Sequence, residues 1–398
     1  MTSIAILGFG VVGGGVADLL TKNAKEASRL GGDEINIKYI LDLRDFPDSP
    51  FGDLVVHDFN TILNDPEVSI VAEMMGGSHP AYDFSLAALK AGKHVVTSNK
   101  EVVSNFGVEL CAVAAENNVR YLFEASVGGG IPVIRPMIND LASNKITKIC
   151  GILNGTTNYI LTKMRDEGAS FESALSEAQK LGYAEANPSA DVDGIDAARK
   201  ITILGALASG KLVSPKTIYT EGITAISQND TKAAEALGCS IKLIGQAHIA
   251  KDSLLAFVSP AMVQKANPLS RIDDVFNGIL INANMVGEVM FYGPGAGKLP
   301  TASAVVADII DIIANMESDL KVISWSAAEE SDVASFDNFA SKRVFIASKE
   351  LVFSEDVAVI KSATLDGGFA YMTSELTELE VADLKASNSA ISSVFRVI

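Results

Sequence analysis

The stretch TSIAILGFGVVGGGVADLLTK, residues 2–22, constrains the fold more than any other. A β-prone run, Ile4 to Leu7, breaks into glycines and resumes as a helix from about Gly14. Gly8, Gly10 and Gly13 stand in the break at Gly-x-Gly-x-x-Gly spacing. Between a strand and a helix this spacing has a physical reading. Gly8 makes the turn, Gly10 lets backbone approach a pyrophosphate, and Gly13 lets helix and strand pack closely. A tight turn with no ligand is the plain alternative, and the flanking strand and helix favour the dinucleotide reading.

The alternation continues. A second strand, INIKYIL, ends at Asp42, Leu43 and Arg44. An acidic residue there accepts from a ribose 2′-OH and an arginine pairs with a 2′-phosphate, so NAD and NADP both stay open. A surface ion pair is an equally good reading of either residue alone. Further β-like runs at VSIVAEMMGG, KHVVTSN and VRYLFEASVGGG are separated by helix-like stretches at 81–91 and 105–117. Strands alternating with helices predict an α/β fold, a Rossmann-type doubly wound parallel sheet. Ligands of such sheets lie beyond the carboxyl ends of the strands, which nominates Gly76, Gly77, Ser98, Asn99, Lys100 and the EASVGGG loop. A solvated surface lysine is the plain reading of Lys100.

With 398 residues, the chain is long enough for two or three domains. After GGGIPVIRP the pattern changes to a second α+β domain, 131–299, following a dinucleotide-binding domain, 1–130, to which a helix at about 300–316 returns. Residues 319–398 read as a small C-terminal α+β unit, with a capping-box pattern at Thr377 and Glu380. A net charge of −17 makes nucleic acid and anionic membranes poor partners. Three spaced cysteines, Cys111, Cys150 and Cys239, fit reduced thiols, and no apolar run approaches the ~18 residues of a membrane span. The first basic residue is Lys22, which a signal peptide does not fit; a cytoplasmic protein is the expectation.

The chemistry gathers in ADVDGIDAARKITILGALASG, residues 190–210. Asp196 and Lys200, four apart, share one helix face. A hydride-transfer enzyme acting on an amino acid needs a group that trades a proton with a carbonyl or alcohol, and a lysine oriented by a carboxylate one turn away can do this. Glu185 and Asp196 are candidates to hold a substrate ammonium. A helix-surface salt bridge, worth about 0.3 to 0.5 kcal/mol, is the competing reading of the pair.

The runs FEASVGGGIPVIRP, GILNGTTNYILTKM, GYAEANPSADVDGIDAARK and the GPGAG and LPTASAV segments near residue 300 resemble the homoserine dehydrogenase family, in matching order from about residue 3 to 316. The resemblance implies a nucleotide-binding domain plus a catalytic and dimer-forming domain. The implied reaction interconverts L-aspartate 4-semialdehyde and L-homoserine with NADP or NAD, on the route to threonine, methionine and isoleucine. By it Lys200 is the proton donor and acceptor, Lys100 a lysine near nicotinamide and substrate, and Glu185 and Asp196 substrate-binding carboxylates. Phe9, Gly10, Val11, Val12 and Gly297 match cofactor contacts. Glu124, Val127, Gly129 and Ile131 match a monovalent-cation site resembling a sodium site, built largely from carbonyl oxygens and implied to brace the junction between domains. A homodimer or higher homo-oligomer is also implied.

Two departures stand out. Arg44 matches the family's arginine, yet Asp42 beside it would repel a 2′-phosphate. The tail resembles a regulatory ACT unit, βαββαβ, without its first helix, so threonine feedback does not follow. Two rivals are another two-domain amino-acid dehydrogenase and a nucleotide-sensing module without catalysis; the second predicts loss of Lys100 or Lys200, and both are present. Hydrolase readings fail because His57, His79, His94 and His248 are scattered and no Gly-x-Ser-x-Gly elbow occurs.

Overall fold

A computed structural model describes residues 1–251, 253–318 and 323–398, so the expected boundary at 319 falls outside the described residues. The chain forms two compact units. The first comprises Met1–Lys145, Thr202–Pro215 and Gly293–Ala328; the second comprises Ile146–Ile201, Lys216–Tyr292 and Glu329–Ile398.

In the first unit, strands β1 (Thr2–Leu7), β2 (Ile35–Leu41), β3 (Val55–Val56), β4 (Val68–Glu73), β5 (His94–Thr97) and β6 (Tyr121–Leu122) form a parallel sheet in the order β3-β2-β1-β4-β5-β6. All of β1 is buried, as a parallel strand covered on both faces must be. The direction of chain progression reverses between β1 and β4, the switch point where such sheets bind ligands. The Val11–Lys22 helix packs on the Lys298–Ala314 helix at Gly15, where a Cβ would lie 2.8 Å from the Lys298 carbonyl. Val16, Leu20, Ile70, Val305, Ile309 and Ile312 share the core beneath.

Helix starts differ from the sequence expectation for a local reason. The first helix begins at Val11, not Gly14, because Gly10 takes the N-cap position. The helix expected at 105–117 spans Lys100–Glu116, because the Asn99 side chain accepts from the Glu101 and Val102 amides (both 3.2 Å) and starts it earlier. VRYLFEASVGGG gives only the short β6 and then a 3₁₀ turn, Glu124–Ser126.

The second unit is built on a mixed 10-stranded sheet. Its order runs Gly287–Pro294, Phe276–Ala283, Ile146–Ile152, Cys239–Ile249, Leu254–Gln264, Ile391–Val397, Ala340–Ala347, Gly368–Thr377 and Val359–Leu365, with Tyr219–Thr220 beside Leu254–Gln264. Gly245 lies against the Ile195–Ser209 helix, where a Cβ would meet Ile201 at 3.2 Å. The C-terminal strand Ile391–Val397 runs parallel to Leu254–Gln264 and antiparallel to Ala340–Ala347, so residues 340–397 extend this sheet. Thr377 and Glu380 form the expected capping box at the head of the Glu378–Ser387 helix. Residues 348–358 form no helix. Among the described residues no helix is long and apolar enough to cross a membrane.

Candidate active site

The glycine loop has the shape its spacing predicts. Gly8 takes a φ of +90°, and a Cβ on Gly13 would lie 2.0 Å from the Gly8 carbonyl oxygen, so a side chain there would push the helix off the strand. A Cβ on Gly10 would meet nothing within 4 Å, leaving open approach to the head of the Val11–Lys22 helix. That helix has no side-chain cap, so its first amides point at the opening, as an anion site requires. Val11 lies exposed at the rim, and Phe9 packs edge-on against Phe46 (5.0 Å between centroids) and Phe51 (6.0 Å). Gly297 is the N-cap of the Lys298–Ala314 helix in the same unit.

Asp42 and Arg44 are paired with each other. The Asp42 carboxylate accepts from Arg44 Nε and Nη2 (both 3.0 Å), from the Arg44 amide (3.1 Å) and from the Phe9 amide (2.8 Å). These bonds, the guanidinium's first, hold its pKa at about 2. Asp42 thus ties the end of β2 to the glycine loop, while the Arg44 side chain stays 64% exposed above the Phe46 ring.

Lys100 opens its helix, at the carboxyl end of β5. Gly77 lies beside it through Asn99, whose Nδ2 donates to the Gly77 carbonyl at 2.7 Å; the Lys100 amide donates to the Ser98 carbonyl at 3.2 Å.

In the second unit, Lys200 Nζ donates to Asp196 Oδ2 at 2.6 Å and to the Leu153 carbonyl at 2.7 Å. Asp196 is 5% exposed and Lys200 8%, so this is a buried pair and not a helix-surface salt bridge. Burial weakens solvation of both charges, and only close partners make the arrangement tolerable. Asn154 supplies another. Its Nδ2 donates to Asp196 Oδ2 (2.9 Å) and to Asp191 Oδ1 (2.7 Å), while its Oδ1 accepts from the Thr157 amide (2.9 Å) and caps the Gly155–Asp166 helix. One amide therefore locks a helix start to two carboxylates and, through Asp196, to the lysine. Glu185 is exposed, and its carbonyl accepts from Gln179 Nε2 at 3.1 Å.

Asn154 and Asp191 belong to this cluster yet were not singled out from sequence. Each had a signal: Asn154 precedes a helical run, as N-caps do, and Asp191 stands among the aspartates of ADVDGID.

The loop expected to hold a cation lies in the first unit. The Glu124 carboxylate, 2% exposed, accepts from the Val133 (2.7 Å), Ile134 (2.8 Å) and Arg135 (2.7 Å) amides. Its charge is thus spent on a helix N-terminus, and main-chain carbonyl oxygens are what Glu124, Val127, Gly129 and Ile131 can offer an ion. Such hard oxygens suit a hard monovalent cation. Among the described residues no group of three or more His, Cys, Asp or Glu side chains could hold a metal. Nearby, Asp308 accepts from the Glu124 amide (2.8 Å) and from Arg135 Nη2 (2.5 Å); burial, reinforced by the Glu124 charge, raises its pKa to about 7.

A family model described as homoserine dehydrogenase matches residues 132–310, and one described as homoserine dehydrogenase, NAD binding domain, matches residues 8–124. The chain is 44% identical over 323 residues to a homoserine dehydrogenase of Neisseria gonorrhoeae, covering 80% of this chain and 73% of the relative. The crystal structure of a homoserine dehydrogenase from Thiobacillus denitrificans matches with a TM-score of 0.91 at 33% identity, over 100% of this chain and 98% of that one. A hyperthermophilic archaeal homoserine dehydrogenase solved in complex with NADPH matches with a TM-score of 0.69 at 29% identity, over 80% of this chain and 99% of that one.

Proposed function

The chain belongs to the homoserine dehydrogenase family, and from that premise we propose how its residues divide the work of an NAD(P)-dependent oxidoreductase of amino-acid biosynthesis that interconverts L-homoserine and L-aspartate 4-semialdehyde. When bound, the nicotinamide supplies or takes the hydride. The open head of the Val11–Lys22 helix receives the pyrophosphate, with Gly8, Phe9, Gly10, Val11, Val12 and Gly13 forming its cradle and Gly297 a further contact.

Lys200 is the proton carrier. As an ammonium it gives a proton to the aldehyde oxygen during reduction, and as an amine it takes the hydroxyl proton during oxidation. Asp196 and the Leu153 carbonyl aim its Nζ, and Asn154 holds Asp196. Asp196, Asp191 and Glu185 are acceptors for the substrate's ammonium, and Lys100 lies near nicotinamide and substrate. The buried Asp196–Lys200 pair is the observation that carries this reading. Replacing Lys200 with alanine is expected to lower kcat about 100-fold or more while cofactor affinity stays within a fewfold of the parent; an unimpaired variant overturns it.

Four finer readings follow. The enzyme accepts both coenzymes, because Arg44 neutralises the Asp42 carboxylate that would repel a 2′-phosphate while keeping an exposed guanidinium for that phosphate. A monovalent cation such as sodium is held by carbonyl oxygens of Glu124, Val127, Gly129 and Ile131, where it supports the loop and takes no part in proton or hydride transfer. Residues 340–397 are an ACT-like unit reduced to one helix, since their strand order, last-first-third-second, is that of a βαββαβ unit. Self-association through the edge strand Gly287–Pro294, with Met290 and Tyr292 exposed, accounts for an apolar edge that a lone chain would leave to solvent.

A further inference from the structure

Glu73, the last residue of β4, is 0% exposed and lies opposite Leu7 of β1 and Thr97 of β5. Its Oε1 accepts from the Met75 amide at 2.7 Å and its Oε2 from the Thr97 hydroxyl at 2.6 Å. Thr97 Oγ1 in turn accepts from the Asn99 amide at 2.9 Å. The Asn99 side chain closes the circuit. Its Nδ2 donates to the Met75 (3.3 Å) and Gly77 (2.7 Å) carbonyls, and its Oδ1 accepts from the Glu101 and Val102 amides.

This circuit stitches together the loops that follow β4 and β5, at the end of the sheet where its ligands bind. Lys100 is the residue between the two fixed by it, Asn99 and Glu101. Neutral side chains could join two loops. A carboxyl group buried against an amide and a hydroxyl is a costly choice, and burial drives its pKa up to about 7. What a carboxylate adds is a stronger, more directional bond to the hydroxyl, which also polarises the next bond along the chain.

We propose that Glu73 is a positioning residue for the dehydrogenase reaction: acting through the Thr97 hydroxyl and Asn99, it fixes the backbone at Lys100 and so sets where that lysine's side chain starts. Glu73 touches neither substrate nor cofactor in this role. The inference rests on the reading of Lys100 given above, and nothing in that reading or in the family match assigns a role to Glu73.

A double-mutant cycle in the full chain tests it. Glu73→Gln keeps the size of the side chain and an acceptor for the Met75 amide but loses the charged acceptor for Thr97; Thr97→Val removes the hydroxyl, and Thr97→Ser retains it. Glu73→Gln and Thr97→Val are each expected to lower homoserine oxidation, in kcat more than in KM, by on the order of tenfold to a hundredfold, and Thr97→Ser to stay near the parent. Placed on Lys100→Ala, Glu73→Gln should produce less than a twofold further loss, because the two residues act in series. A merely structural role predicts instead that Glu73→Gln loses the same factor on either background, and that outcome overturns the proposal. So does a Glu73→Gln enzyme within twofold of the parent. Should Glu73→Gln fail to fold, the Thr97→Val and Thr97→Ser pair on both backgrounds decides in the same way. A fully active Lys100→Ala enzyme overturns the Lys100 role and this proposal with it, whereas an impaired Lys100→Ala with multiplicative losses overturns the relay alone.

Discussion

At the scale of single residues, the same side chains serve structure and chemistry together. Asp42 anchors the Phe9 amide of the glycine loop and pairs with Arg44, so a change at either residue also alters what holds the loop. Arg44→Ala removes the guanidinium that pairs with the Asp42 carboxylate and that, on the proposed reading, is available to a 2′-phosphate. It is expected to raise KM for NADP about tenfold or more while changing KM for NAD far less, measured as homoserine oxidation with each coenzyme. Equal losses with both would show that Arg44 acts only by holding Asp42. The Asp196–Lys200 spacing was readable in sequence because a four-residue offset is local geometry. Its burial was not, because the partners that make burial tolerable, Leu153 and Asn154, lie more than 40 residues away. Asp191 was hidden for the same reason: its bond to Asn154 spans 37 residues.

At the scale of elements, the signals that depend on neighbours in sequence were legible. Gly8, Gly10 and Gly13 marked a turn into a helix, and Thr377 with Glu380 marked a capping box. The Lys100–Glu116 helix starts ahead of the stretch that its helix-like pattern predicts, because the Asn99 side chain caps it there. Glu73 carries no sequence signal, because one acidic residue ending an apolar β-run says nothing of the hydroxyl 24 residues on. Its element-level consequence is a pH dependence of stability. Glu73 titrates near 7 in the fold against an ordinary 4.5. The native state therefore keeps a proton that the unfolded chain releases, and this stabilisation, full below about pH 4.5, is lost as pH rises through about 7. Burial pushes His94 and His248 the other way, to about 4, so the stability they contribute is present above 6.5 and is lost as pH falls through about 4. The two effects oppose each other in the parent. Glu73→Gln removes one of them, so the variant should gain stability relative to the parent when urea unfolding is moved from pH 5 to pH 8. A constant difference between the two proteins would show that Glu73 does not titrate with folding.

For the whole molecule, fold class and reaction follow from a strand–glycine–helix start and from motifs in order along most of the chain. The contribution of the last residues does not. The strand Ile391–Val397 enters the sheet of the second unit, and Arg396, 6% exposed, is bonded there to Glu378 at 2.8 Å through both Nε and Nη2 and to Glu221 at 3.2 Å, with its guanidinium over the Tyr219 and Phe336 rings. Nothing in ISSVFRVI announces this, since both acidic partners are distant in sequence. Arg396→Ala is expected to destabilise the second unit by about 2 kcal/mol in urea unfolding, because it strips the partly buried Glu378 carboxylate of one of its two guanidiniums, leaving Arg343, and empties the place the guanidinium fills over the Tyr219 and Phe336 rings. The central claim is that the Lys200 amine carries the proton of the alcohol. Its most direct measurement is chemical rescue: oxidation of L-homoserine by Lys200→Ala followed as small primary amines are added. Turnover should rise in proportion to amine concentration and track amine basicity, with cofactor binding unchanged throughout. A variant that binds cofactor and homoserine normally yet is untouched by any amine, or one that needs none, would contradict the assignment.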